Sequence, residues 1–114
     1  MPPEDNARIV HMIEAAQSAV KFCHGRKRSD LDNDEMLLFA IVRAIEIIGE
    51  AASKVSLQRR ASIPAVPWPS IISMRNRLAH AYFDINCGIV WETATVEVPE
   101  LLALLLPHAP KELG

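Results

Sequence analysis

The stretch Leu37-Leu38-Phe39-Ala40-Ile41-Val42-Arg43-Ala44-Ile45-Glu46-Ile47-Ile48-Gly49-Glu50-Ala51-Ala52 decides the fold. At about 100° per residue, Leu37, Leu38, Ala40, Ile41, Ala44, Ile45, Ile47, Ile48, Ala51 and Ala52 cover more than half of a helical circumference. The remaining stripe holds Phe39, Arg43, Glu46 and Glu50, which mixes charge with one aromatic ring. A helix apolar over so much of its surface must be covered from several sides, so this segment is expected to be the central helix of a bundle. Its predicted range is about Asp32 to Leu57, with Asn33 or Asp32 as the cap and Glu35 in the first turn.

The same three- and four-residue spacing extends outward in both directions. Ile9, Met12, Ile13, Ala16, Ala19, Val20 and Cys23 form one stripe of a first helix over about Asp5 to Phe22, capped by Asp5 or Asn6. His24-Gly25 ends it, and a polar loop runs through Arg26-Lys27-Arg28-Ser29-Asp30. Downstream, Pro64, Pro67 and Pro69 forbid a regular helix in the connector from Gln58 to Pro69, apart from a short turn near Leu57 to Ser62. A third helix is predicted from Ser70 to about Tyr82, with Pro69 suited to its first turn. A fourth follows Asp84-Ile85-Asn86 and carries Ile89, Val90, Trp91, Val96 and Val98; Pro99 is expected to kink it before Leu101 to Leu106. No alternating strand pattern occurs. The expected fold is all-α: a single antiparallel bundle of four to five helices, its last helix kinked at Pro99, forming one domain over residues 1–114.

Composition narrows the classes. A chain of 114 residues with 50% hydrophobic and 23% charged residues is neither disordered nor large enough for two domains. No run approaches the roughly 20 apolar residues of a membrane span, and the acidic Met1 to Arg8 predicts no signal peptide. Cys23 and Cys87 make no disulfide framework, so a reduced, cytoplasmic compartment is expected. A net charge of −2 argues against a broad nucleic-acid-coating surface while leaving room for a small local site. The mean hydropathy of +0.12 is high for so short a chain: either a large apolar patch stays exposed or a partner covers it.

The pattern breaks at Ser73-Met74-Arg75-Asn76-Arg77-Leu78-Ala79-His80-Ala81-Tyr82-Phe83-Asp84. On a helical wheel Trp68, Ile71, Ile72, Leu78, Ala79 and Tyr82 cluster within about 60° of Arg75, which therefore lies within the apolar arc. Ser70, Ser73, Asn76, Arg77 and His80 form the polar arc, with Asn76 and His80 an i,i+4 pair. Arginine stays charged, so Arg75 needs a partner, and Glu46 and Glu50 are the candidates. Such a pair stitches two helices, or fixes an arginine beside a phosphate; the two are compatible. A histidine on its own is weak evidence, but with Arg75, Asn76 and Tyr82 within two turns, His80 completes a set able to cleave RNA: an arginine for the anionic phosphorus and a group exchanging protons near neutral pH. RNA supplies its own 2′-hydroxyl nucleophile. Acid and base are both needed, however, and one chain offers one such histidine, so a two-fold dimer is expected.

The segment Arg75-Asn76-Arg77-Leu78-Ala79-His80-Ala81-Tyr82 resembles the Arg-x4-His-x-Tyr motif of the HepT-like toxins of the HEPN superfamily. Arg43 to Ala52, Pro67-Trp68, Tyr82-Phe83-Asp84 and Val90-Trp91-Glu92 are similar to the same toxins in order and spacing. The resemblance implies a helical homodimer and a metal-independent ribonuclease without a cofactor, cutting mRNA or tRNA to leave 2′,3′-cyclic phosphate at a cleft between protomers. Arg75 would bind the scissile phosphate, His80 would act as general acid or base, and Asn76 would orient them, with Arg43, Glu46 and Glu50 in support. It also implies a nucleotidyltransferase antitoxin of the MNT type, which can transfer AMP to the tyrosine here numbered Tyr82. The stripe of Arg43, Glu46 and Glu50 is expected near the dimer seam.

Other features are bland. Cys23-His24 with Cys87 or His108 matches no zinc spacing, and no metal is expected. Arg26-Lys27-Arg28 is balanced by Asp30, Asp32 and Asp34 and reads as a solvated loop that RNA phosphates alone would make functional; Arg59-Arg60 carries the same two readings. The competing functions are a non-catalytic helical dimer that binds a nucleotide or partners a nucleotidyltransferase, and a purely structural bundle with a buried Arg–Glu pair.

Overall fold

In a computed structural model the described residues are 4–79 and 86–110, with the backbone alone of Arg75 and Ala79, and every regular element among them is helical. Helix α1 spans Glu4–Cys23, a short α2 Asp30–Asn33, α3 Glu35–Ser53, a short α4 Leu57–Ala61, α5 Trp68–Ala79, α6 Cys87–Glu92 and α7 Val98–Leu105. A π-helical turn, Thr93–Glu97, joins α6 to α7, and a 3-10 turn, Leu106–His108, follows α7. No strand occurs among the described residues. The architecture is the expected all-α bundle, with the short helices added.

Helix α3 is its axis. Leu37, Ile41, Ala44, Ile45, Ile48, Gly49, Ala51 and Ala52 are buried, and Leu38, Val42 and Ile47 pack against that core half-buried. Helix α1 lies along α3, its Ile9, Met12, Ile13, Ala16 and Ala19 all fully buried; α5 packs on α3 as well, and α7 packs on α1. The alanines on both sides of the α1–α3 contact let the two backbones approach closely. Phe39, set on the charged stripe by its spacing, is exposed.

Three boundaries differ from the sequence expectation, each for a local reason. The helix predicted from Asp32 is interrupted at Asp34, whose backbone is extended (φ −129°, ψ 92°) and whose carboxylate accepts the Leu37 N–H at 3.0 Å, making Asp34 the cap of α3. At the other end, Ser56 is extended (φ −63°, ψ 154°) and its hydroxyl accepts the Arg59 N–H at 3.1 Å. It opens α4, so α3 stops at Ser53 and Leu57, 76% exposed, belongs to the next helix. Finally, the run from Cys87 to Leu105 is one continuous helical path; the irregularity is the π turn, in which the Val98 N–H reaches back to the Thr93 carbonyl, rather than a kink at Pro99 itself. Proline has no N–H and its ring crowds the carbonyl four residues earlier, so widening the preceding turn accommodates it without a break. The end of α1 is as expected: Gly25 has φ +73°, where a side chain would be strained, and the Arg26 N–H closes on the Cys23 carbonyl at 3.0 Å.

Asp5, expected as a cap of α1, lies within its first turn and is buried. Its carboxylate accepts both the Ser56 N–H at 2.9 Å and the Ser56 hydroxyl at 2.7 Å, tying the start of α1 to the corner between α3 and α4. The Ser56 hydroxyl, followed by the Ser56 N–H, holds the Asp5 carboxyl below its ordinary value. A carboxylate with a lowered folded-state pKa stabilises the fold above its unfolded pKa of about 3.9 and loses that contribution as the pH falls through the folded value. Asp5→Asn should therefore lower the urea midpoint at pH 7, and the gap to wild type should narrow steadily below about pH 4. A gap equally wide at pH 3 and pH 7 would refute the role of the charge.

Candidate active site

Helix α5 carries the first half of the motif, and its entry is firmly built. The Trp68 indole N–H donates to the carbonyls of Arg60 and Ile63, both at 3.1 Å, which pins the proline-rich connector to the start of α5. Pro69 occupies the first turn, where its missing N–H costs nothing. The helix thus opens at Trp68, two residues before the expected start. Trp68, Ile71, Met74 and Leu78 are buried at spacings of three and four, and Ser70, Asn76 and Arg77 are exposed. Met74, absent from the sequence-derived arc, is among the largest fully buried side chains.

Arg75 and Asn76 therefore sit on consecutive positions of a regular helix, next to the buried Met74. His80 and Tyr82, the remaining motif residues, lie outside the described residues. Arg77 pairs with Glu97 at 3.2 Å, and the other Glu97 oxygen accepts the Thr93 hydroxyl at 3.4 Å. The π turn thus supplies the carboxylate that ties the polar face of α5 to the last helical run. Sequence reasoning missed this contact, because pairs twenty residues apart leave no periodic signal.

The supporting trio from α3 lies on one stripe, with Arg43 exposed and Glu46 and Glu50 half-buried. Glu50 pairs with Lys54 at 3.6 Å. Arg43 and Glu50 line a cavity of about 170 Å³ between α1 and α3, together with Arg8, His11 and Lys54. These cavity cations from α1 and from the end of α3 were not singled out from the sequence, where each stands as an isolated charge.

The basic loop, Arg59 and Arg60 have structural partners. Arg28 bonds Asp32 at 2.8 Å, Arg26 approaches Asp34 at 3.9 Å, and the Asp30 carboxylate accepts the Lys27 N–H at 2.9 Å, so the basic loop is balanced by its own aspartates. Arg60 donates to the carbonyls of Val55 and Ser53 at 3.0 and 3.1 Å, closing the end of α3. Arg59 donates to the Ser62 hydroxyl at 3.0 Å and to the His108 carbonyl at 3.4 Å. Both cysteines are free and half-buried, and burial pushes each thiol up; for Cys87 the neighbouring Asp32 charge adds to it. Among the described residues no three His, Cys, Asp or Glu side chains converge, and no helix is long and apolar enough to cross a membrane.

Known proteins are similar to this chain over most of its length. The family described as "Ribonuclease HepT-like" matches residues 12–106. Two similar chains are named "Putative RNase": TTE0752 of Caldanaerobacter subterraneus subsp. tengcongensis, 37% identical over 82% of this chain and 83% of that one, and MJ1216 of Methanocaldococcus jannaschii, 32% identical over 89% and 84%. A third, "Probable ribonuclease HepT" of Thermococcus cleftensis, is 33% identical over 86% of this chain and 84% of its own. No solved structure matches the chain significantly. The chain belongs to the HepT-like family of the HEPN superfamily.

Because Asn76 and Arg77 are exposed, and exposed ion pairs contribute little, Asn76→Ala and Arg77→Ala should each change unfolding free energy by no more than about 1 kcal/mol. Chemical denaturation checks this. A loss above about 2 kcal/mol would make Asn76 a structural anchor, and would make the Arg77–Glu97 pair far stronger than an exposed ion pair.

Proposed function

We propose that this chain is the toxin of a toxin–antitoxin pair, a cytoplasmic, metal-independent endoribonuclease that forms one HEPN-like domain over residues 1–114 and acts as a homodimer. The observation that carries the proposal is the family match over residues 12–106, which contains Arg75-x4-His80 in full. Supporting it, Arg75 and Asn76 belong to a helix that is anchored at its entry by Trp68 and on its polar face by Glu97. Met36 and Phe39, both exposed, precede Arg43 by seven and four residues and so continue the stripe of Arg43, Glu46 and Glu50, which favours a second copy over the α3 face.

The chemistry balances with two protomers. The 2′-hydroxyl oxygen of one RNA nucleotide attacks the adjacent phosphorus while His80 of one protomer takes its proton. Arg75 holds the non-bridging oxygens as charge builds on them, and Asn76 orients the arginine and the phosphate. The P–O5′ bond breaks, and the second protomer's histidine returns a proton to the leaving oxygen, leaving a 2′,3′-cyclic phosphate and a free 5′-hydroxyl. Arg43, Glu46 and Glu50 support this set from α3. A nucleotidyltransferase antitoxin of the MNT type would silence it by transferring AMP to the Tyr82 hydroxyl, with loss of pyrophosphate from ATP, placing bulk and negative charge beside the phosphate site.

Purified protein should cleave mRNA or tRNA in the presence of EDTA and leave cyclic phosphate ends, with Arg75→Ala and His80→Ala each slower by about 10²-fold or more. Activity that disappears in EDTA, or variants as fast as wild type, would refute the proposal. Co-expression with the antitoxin followed by intact-mass measurement should show added AMP, abolished by Tyr82→Phe.

A further inference from the structure

A feature separate from the motif helix runs between α1 and α3. The cavity of about 170 Å³ there is lined by Arg8, His11, Arg43, Glu50 and Lys54, and a second of about 280 Å³ by Ala15, Ser18, Phe22, Ala40 and Ala44. The two share Arg43 and Ile47, so they are lobes of one groove that follows the α1–α3 seam. One lobe is cationic and the other almost wholly apolar.

The charge in the first lobe is unusual for this chain. Three permanent cations face one carboxylate there, on a protein whose formal net charge is −2. Glu50 is already engaged by Lys54, and among the described residues neither Arg8 nor Arg43 has an ion-pair partner, in contrast to Arg26, Arg28 and Arg77. Two unpaired guanidinium groups converging on a concave site match an anion with several oxygens, since each offers a planar fork of donors. A phosphate fits the cationic lobe. The adjoining lobe, walled by alanines, Ile47 and the half-buried Phe22, suits the flat apolar face of a base. Neither lobe alone reaches the roughly 300 Å³ of a small-molecule cleft, but the joined groove does.

We propose that the α1–α3 groove, through Arg8, Arg43 and Lys54 beside Phe22, is an RNA-holding subsite that grips a nucleotide of the substrate strand outside the scissile bond. This rests on the ribonuclease proposal above and adds to it a determinant of RNA affinity on a different pair of helices from the motif. Arg43 is common to the α3 stripe proposed to support the catalytic set and to the groove, so it is the residue through which the two would be continuous. The subsite binds and does not react: Arg8 and Lys54 bear on affinity and leave the chemical step to Arg75 and His80.

The test uses the full chain and a 2′-O-methyl oligoribonucleotide, which lacks the nucleophile, with binding followed by fluorescence anisotropy over a salt series. Arg8→Ala combined with Lys54→Ala should weaken binding by about tenfold and flatten the dependence of log K on log salt by about 0.7 for each phosphate no longer neutralised. On cleavable RNA the same protein should show a raised KM with kcat unchanged, and Arg8→Lys, which keeps the charge and loses the fork, should leave an affinity between those of wild type and Arg8→Ala. Free AMP at millimolar concentration should compete only weakly, because the groove takes its nucleotide as part of a strand. Affinity and salt slope equal to wild type would overturn the subsite while leaving the ribonuclease proposal, which His80→Ala tests by itself. A change in sedimentation with RNA affinity retained would also overturn it, by assigning the groove to a second copy of the chain.

Discussion

Everything in this small bundle depends on covering α3. Its Ile41, Ile45 and Ile48 are fully buried, each contributing about 1.5–3 kcal/mol relative to exposure. No single neighbour can cover an apolar arc of that width. Helix α1 takes one flank, where facing alanines permit close approach, and α5 takes another through Trp68, Ile71, Met74 and Leu78. The motif helix is therefore a structural wall of the core before it is anything else. Its polar residues project from the side that packing leaves free, and the regularity of that packing gives them a defined position.

A second set of interactions converts this wall into a rigid one. Asp5 binds Ser56 twice, Ser56 caps α4, Arg60 closes the last carbonyls of α3, and the Trp68 indole binds the carbonyls of Arg60 and Ile63. These bonds connect the beginning of α1, the end of α3 and the entry of α5 through one corner. Three prolines in the connector reduce the freedom of the unfolded chain there, which lowers the entropic cost of ordering it. The position of α5 thus rests on its entry residue Trp68 and on the corner built by Asp5, Ser56 and Arg60.

How much of this was legible in the sequence follows from the range of each signal. The helices of α1, α3 and α5 were readable because burial repeats every three to four residues, and the buried stripes Ile9–Ala19 and Leu37–Ala52 match that repeat. Gly25 and the connector prolines, Pro64, Pro67 and Pro69, punctuated it correctly. What escaped was decided by competition between near-equal local options: the cap of α3 was expected at Asp32 or Asn33, whereas their neighbour Asp34 adopts the extended backbone that capping needs. The π turn before Pro99 escaped because a proline can be accommodated by a break, a kink or a widened turn; the chain takes the last, with Thr93 and Ala94 buried in it. Of the candidate site, the Arg75-Asn76 placement on a helix was legible from periodicity. The Arg77–Glu97 pair and the cationic groove were not, since they join residues far apart in the chain.

The arginines whose side chains are described sort into two groups by what they touch. Arg26, Arg28, Arg59, Arg60 and Arg77 each have a carboxylate, hydroxyl or carbonyl partner that fixes a loop, a helix end or a helix pair. Arg8 and Arg43 have no ion-pair partner among the described residues, and they lie together on the groove beside the α3 stripe. In a chain with net charge −2, cations spread at random would be neutralised by acidic neighbours, and the arginines of the basic loop and of α5 show how readily that happens. Leaving two unneutralised on one concave surface concentrates positive potential where a polyanion would be drawn in, against the repulsion of the protein as a whole. Under the proposed function, a chain with net charge −2 would in this way select a nucleic acid at one place without coating itself in charge. The exposed Met36 and Phe39 and the groove residue Arg43 lie on adjoining parts of α3.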